Sequence, residues 1–371
     1  MADTQGGSSP SPTTPFLTSH VRWADVWTRA VIWPAWRRAS AIWIGCAIVA
    51  AVVFGPTGMQ PSDLTSLALH HAGVGAALGL TWLLVYAPTA RLIVRADAAA
   101  YLRSLPGPRL APLLIGGGAF LVLQLPWLVL WTLGDGLRGL AVFALTQLAL
   151  LALARFRPPP SRARFPTWDH PASALRSIHL RALRRRAGDA LVRGAGLAVL
   201  AGAAAGLILR NNGLSGPSAA STGAAIIAVV LVPACAGVLL VILGAHRQTA
   251  WLAATLGISP ATRATALIFA IAVVQLAASS LALLAAALIA EPSPRTFALL
   301  SLVTLGCALG ASLGCARALL ARPDSPTIAA RAVTGAAVTA AAAVLCLSLF
   351  GAPGVLAFLA ASLLALSTVR P

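Results

Sequence analysis

Few side chains in this sequence could do chemistry, and their types exclude more functions than they permit. The nine carboxylates are Asp3, Asp25, Asp63, Asp97, Asp135, Asp169, Asp189, Glu291 and Asp324, all in loops or at the ends of apolar stretches. Proton- and ion-coupled carriers usually need an ionisable group within the membrane, as an intramembrane aspartyl protease does, and none falls there. The 27 basic residues are all arginine. Without lysine there is no Walker A loop, kinase-type site or Schiff base, so any ATP must be bound by another chain. Cys46, Cys235, Cys307, Cys315 and Cys346 lie within apolar stretches with no CxxC and read as small packing residues. His70-His71 with Asp63 could hold a divalent metal. Adjacent histidines point to different faces of a helix, however, and interfacial anchoring is the simpler role. No GxSxG, HExxH or paired-carboxylate pattern is present, so no enzyme activity, cofactor or metal is expected of this chain.

The remaining candidates lie in one loop, "YAPTARLIVRADAAAYLRSLPGPRLAPLL", Tyr86–Leu114. A helix from Arg91 to Leu105 stacks Arg91 and Arg95 at i,i+4, with Asp97, Tyr101 and Leu105 on a neighbouring face. Leu105-Pro106-Gly107 stops it. A short charged helix wedged between two membrane spans is a mechanical handle that a soluble partner can grip.

The elements that must hold this handle are apolar helices. Hydrophobic residues make up 58% of the chain and charged residues 10%, which a bilayer core accepts and a soluble fold of this length could not hide. Ten stretches are long enough to be spans: Ser40–Thr57, Ala72–Ala90, Leu110–Leu133, Gly139–Ala154, Gly194–Leu209, Ala219–Ala245, Ala264–Ala290, Phe297–Leu319, Ala332–Phe350 and Val355–Thr368. The fourth and tenth are short, and the last two could instead form one re-entrant hairpin; eight is the fallback count. The expected fold is thus an all-α polytopic bundle. Arginines crowd before the first span and into the loops after spans two, four, six and eight. The opposite loops hold none, or only Arg138, Arg210 and Arg295. That bias places both termini in the cytoplasm and accounts for most of the +18 net charge without a nucleic-acid partner. Residues 1–20 read as a disordered Ser/Pro/Thr-rich tail with no signal-peptide pattern. The all-arginine, alanine-rich composition suggests a GC-rich codon pool and a bacterial inner membrane.

Two halves of the chain look alike at a period of about 150 residues. "YLRSLPGPRLAPLLIGGGAFLVLQL" from Tyr101 matches "WLAATLGISPATRATALIFAIAVVQL" from Trp251, with Gln124 opposite Gln275. Four spans per copy would make the repeat parallel. The layout is then residues 21–154 as the first unit, 155–193 as a basic linker, 194–320 as the second unit and 321–371 as an appendage. Each unit opens with a basic amphipathic helix. The first carries Trp23, Trp27, Trp33 and Trp36 as interfacial anchors; the second sets Leu175, Ile178, Ala182 and Leu183 against Arg184–Arg186. Such basic surfaces serve lipid contact or partner binding. Gly202 and Gly206 in span five, and Gly306, Gly310 and Gly314 in span eight, allow close packing within the chain or a homodimer seam. Gln124, Gln147 and Gln275 are mid-span amides suited to interhelical hydrogen bonds or to lining a path for an amphipathic substrate.

This arrangement resembles the permease subunits of exporter-type ABC transporters, particularly the Ecs-like branch, across most of residues 20–320. The elbow helix precedes span one, and Pro88, Asp97, Tyr101-Leu102 and Leu105-Pro106 match the family's loop motif in order. The resemblance implies that Arg95, Asp97, Tyr101, Leu102, Leu105 and Pro106 form the loop that docks on a separate P-loop ATPase. By the repeat, it implies a second coupling loop at His246, Arg247 and Trp251. Partners would be membrane lipid, that ATPase and a second permease copy or homologue, with a hydrophobic or amphipathic substrate exported. Gly107-Pro108-Arg109 replaces the family's usual acid after Leu-Pro, and the second loop has no carboxylate. The alternative is a non-transporting scaffold or accessory subunit of a membrane complex.

Overall fold

The computed structural model describes residues 23–54, 60–104, 110–156, 171–321 and 327–368. The expected tail, residues 1–20, lies outside them. Among the described residues the regular structure is helical, with fourteen α-helices. In chain order they are α1 (Trp33–Val53), α2 (Pro61–His70), α3 (Ala72–Arg95), α4 (Ala111–Leu123), α5 (Leu125–Arg155), α6 (Pro171–Arg186) and α7 (Gly188–Asn211). Then follow α8 (Gly216–Ala234), α9 (Ala236–Gln248), α10 (Ala250–Thr255), α11 (Pro260–Ala290), α12 (Pro294–Leu320), α13 (Ile328–Phe350) and α14 (Gly354–Ser367). A π-helical turn, Thr28–Ile32, leads into α1, and a 3₁₀ stretch, Asp97–Ser104, follows α3.

Among the described residues, six helices are long and apolar enough to cross a membrane, or seven if α8 and α9 form one span bent by 55°. This makes the chain a multi-pass helical membrane protein, but with fewer qualifying helices than the ten expected. The differences have local causes. The expected first span, Ser40–Thr57, runs beyond the described residues. The third is cut at Gln124, where φ −97° and ψ 6° interrupt the helix ahead of Pro126. The tenth has only the 14 residues of α14, about 21 Å at 1.5 Å per residue against a hydrocarbon core of about 30 Å.

Two compact units divide the chain: Met1–Thr65 with Tyr86–Arg157, and Ser66–Val85 with Pro158–Pro371. In the first, α5 doubles back on itself. Asp135 (φ −140°, ψ 18°) and Gly136 (φ 55°, ψ −122°) leave the helical region. The indole nitrogen of Trp127 donates to Thr146 Oγ1 at 2.9 Å. Nineteen residues of straight helix would separate those groups by about 28 Å, so the two legs of α5 lie antiparallel. The fold therefore occurs between the third and fourth expected spans. Space around the Gly136 Cβ position is open, so its backbone alone requires glycine. Gly136→Ala is expected to cost about 1–3 kcal/mol, seen as a lower thermal midpoint in detergent; an unchanged midpoint would contradict the hairpin.

The second unit is built on close approach of small residues. A Cβ on Gly202 would sit 2.0 Å from the Ala282 carbonyl oxygen, and one on Gly206 would sit 2.9 Å from that of Ala286. These glycines let α7 lie against α11 backbone to backbone. Gly306, Gly310 and Gly314 of α12 are covered within the chain by Val355, Phe358 and Thr339. Thus α13 and α14 pack on the glycine face of α12. Two helix starts use the same Ser-Pro-x-Thr box: Ser259 and Ser293 accept from the backbone N–H of Thr262 and Thr296, with proline in the first turn. All five cysteines are free thiols, with Cys235, Cys307 and Cys315 buried.

Candidate coupling site

In the first unit, the structure joins the elbow segment to the start of the loop after α3. Trp27 and Val31 are buried against Ala96 and Ala99, with Trp23, Ala30, Ile32 and Ile115 at the margin. Trp23 and Trp27 stack with ring centroids 5.4 Å apart. Trp27 is only 4% exposed, so it serves as the seat of the loop. Trp33 and Trp36 are exposed; the Arg37 guanidinium lies 5.1 Å over the Trp33 ring, and Trp36 meets Trp43 edge-on at 5.5 Å. The Trp43 indole N–H donates to the Leu123 carbonyl at 3.2 Å. An exposed Asp25–Arg29 pair at 3.0 Å closes the outer face of the elbow.

The direction of the loop is set by one residue. Ala96 has φ +46°, a left-handed conformation uncommon outside glycine, and it turns the chain off the α3 axis. The continuous helix expected over Arg91–Leu105 is therefore broken: α3 ends at Arg95 and a 3₁₀ turn begins at Asp97. Among the positions of that turn whose side chains are described, one faces inward and four face outward. Ala99 is fully buried under Trp27, whereas Asp97 and Tyr101 are exposed, Tyr101 by 55%. Arg95 points elsewhere. Its Nε donates to the Ala154 carbonyl at 2.8 Å and a terminal nitrogen donates to that of Phe156 at 2.5 Å, capping the negative end of α5. Leu105 and Pro106 lie outside the described residues, as does the side chain of Leu102.

The second predicted loop divides in a similar way. His246, at the end of α9, is buried and stacked on His179 of α6, with ring centroids 5.7 Å apart. Trp251 on α10 is 68% exposed, beside exposed Leu252 and Leu256, while Ala253 faces inward. Gly257, at φ +64°, ends α10: its N–H reaches the Ala254 carbonyl and that of Ile258 reaches Ala253, the paired bonds of a Schellman stop. Arg247, next to His246, lies on the last turn of α9.

The His179–His246 contact was not legible in the sequence. It fastens α6, which also places Arg176 4.9 Å over the Phe269 ring and donates from Arg186 to Gln248 Oε1 at 2.7 Å. Burial pushes the His179 ring below its ordinary 6.5, against the opposing pull of the Leu175 carbonyl. The folded chain thus holds His179 neutral where the unfolded chain would protonate it. Stability is therefore lost as pH falls below about 6.5. The ring stacked on His179 is that of His246, a protonatable neighbour rather than a counter-charge. Amide exchange across α6, corrected for intrinsic rate, is expected to rise several-fold from about pH 7.5 to about pH 5.5. A pH-independent α6, or an unchanged response in His179→Phe, would contradict this.

Asp63 accepts from the Gln60 N–H at 3.0 Å, His70 Nδ1 lies 2.8 Å from the Ser66 carbonyl, and both ring nitrogens of His71 face Arg210 at 3.3–3.5 Å. Gln124, Gln147 and Gln275 are all buried. Gln124 occupies the break before α5 while Gln275 sits inside unbroken α11, so the two matched glutamines differ in backbone. Pro126 follows the first and Ala277 the second.

Fold and site together define a multi-pass helical membrane protein with a short exposed helix seated between α3 and α4. No protein-family model, curated protein or solved structure matches the chain.

Proposed function

We propose that this chain is the membrane-spanning permease subunit of an exporter-type ABC transporter, moving a hydrophobic or amphipathic substrate and driven by a separate ATPase. The observation that carries the reading is the two-faced helix after α3. Its outer face offers Asp97 and Tyr101, while Ala99 within it and Ala96 at the turn before it pack against the buried Trp27. A handle exposed on one side and packed into the elbow on the other can pass a push from a docked partner into the membrane helices. The exposed Trp251 and Leu252 of α10, with Leu256 just after it, supply a second, apolar contact. A parallel repeat, cytoplasmic termini and a bacterial inner membrane belong to this proposal, and catalysis is left to the partner.

A photo-crosslinking residue in place of Tyr101 tests the contact in the native host. Covalent capture of a P-loop ATPase at that position, and not at the apolar exposed Leu309, is expected. Capture of other membrane proteins without an ATPase would favour the scaffold reading.

A further inference from the structure

In the second unit, an open groove of about 570 Å³ lies between α6, α7, α9 and α11. That is within the usual size of small-molecule sites, about 300–1,000 Å³. Its walls are aliphatic, and among the lining residues only Arg184, on the exposed face of α6, is charged. Arg185 and Arg186 extend the positive edge, with Asp189 as the carboxylate of the following turn.

The depth of the groove identifies its occupant. Gly202 meets Ala282 and Gly206 meets Ala286, so α7 and α11 run parallel at a constant offset. That offset sets Leu281, deep in the groove, level with Ala201. Gly188, at the arginine edge, is thirteen residues nearer the α7 start, about 20 Å at 1.5 Å per residue. One leaflet, from headgroup to midplane, measures about 20–22 Å. A groove of one-leaflet depth, apolar along its length and cationic at one end, is complementary to an anionic glycerophospholipid. We infer that this groove is a specific site for one such lipid, its phosphate at Arg184 and one acyl chain lying along Leu191, Ala277 and Leu281. The site is independent of any transport role.

Purified full-length chain in nanodiscs of phosphatidylcholine, with a trace of diazirine-chain phosphatidylglycerol or diazirine-chain phosphatidylcholine, tests this directly. Crosslinks from phosphatidylglycerol are expected on α11 around Ala277–Leu281, at least about fivefold above those from phosphatidylcholine. Arg184→Glu should bring that ratio close to one, while Arg331→Glu, away from the groove, should leave it unchanged. Ala277→Trp should remove the crosslinks of both lipids. Equal labelling by the two lipids in the unaltered chain, or equal losses in the two arginine variants, would reduce the site to general basic attraction. Labelling confined to α6 would place the headgroup there with no chain in the groove, and would overturn the inference. The unaltered-chain measurement needs no substitution to fold.

Discussion

Gly202→Leu is expected to be among the most damaging single changes in this protein. The Cβ alone would fall 2.0 Å from the Ala282 carbonyl oxygen and 2.9 Å from its Cα. Those are backbone atoms of an uninterrupted helix, and they cannot rotate away. The two helices must separate, and the loss runs along Ala198, Ala201, Ala205, Ala282 and Ala286, which form one buried cluster. Overpacking usually costs about 1–3 kcal/mol, and contacts that cannot relax exceed about 4 kcal/mol. The expected outcome is loss of a monodisperse peak in gentle detergent. Gly306→Ala is the control. Its Cβ would meet the Val355 side chain, which can move, so a milder loss of about 1–2 kcal/mol is expected. If Gly306→Ala instead changes the oligomeric state with little loss of stability, the glycine face of α12 serves a second copy rather than α14.

The second large effect concerns function. Replacing Tyr101 with alanine and Asp97 with arginine is expected to abolish ATP-driven transport while leaving the thermal midpoint within about 1 kcal/mol of the unaltered chain. Both residues are exposed, so little packing is lost. At an interface the same change is severe: truncating an aromatic anchor costs about 2 kcal/mol or more, roughly 30-fold in affinity. Ala99→Phe separates grip from transmission. It keeps Asp97 and Tyr101 but cannot fit beneath Trp27, where Ala99 is fully buried. The ATPase should still bind this variant, and its hydrolysis should continue without transport. Full transport by the Tyr101 and Asp97 double variant would remove the loop from the mechanism.

Much of the framework is legible in the sequence, because apolar runs and helix punctuation are local. Ser259-Pro260 and Ser293-Pro294 announce the starts of α11 and α12, and Asp135-Gly136 turns the chain where the third and fourth spans were separated. Chain reversals confined to a few residues can be read from turn chemistry. The candidate loop stands out in the sequence by its residue types but not by its orientation. Arg95, grouped with Asp97 by spacing, serves instead as a cap on α5, a contact about sixty residues away. Trp27 looks like its neighbours Trp33 and Trp36 in the sequence, yet it faces the loop and they do not. The His179–His246 stack and the Arg210–His71 contact pair distant residues, and periodicity carries no information about such pairs. Neither is the Gln124 break evident from its own residue; it follows from Pro126 two positions later.

The proposed grip of Asp97 and Tyr101 on an ATPase can be tested by purifying the tagged chain from its native host in gentle detergent, with quantitative proteomics of what accompanies it. A P-loop ATPase at about one copy per chain is expected, reduced at least tenfold by the Tyr101→Ala and Asp97→Arg pair and retained by Ala99→Phe. An unaltered chain that brings down no ATPase, even after crosslinking, would contradict the coupling-site account.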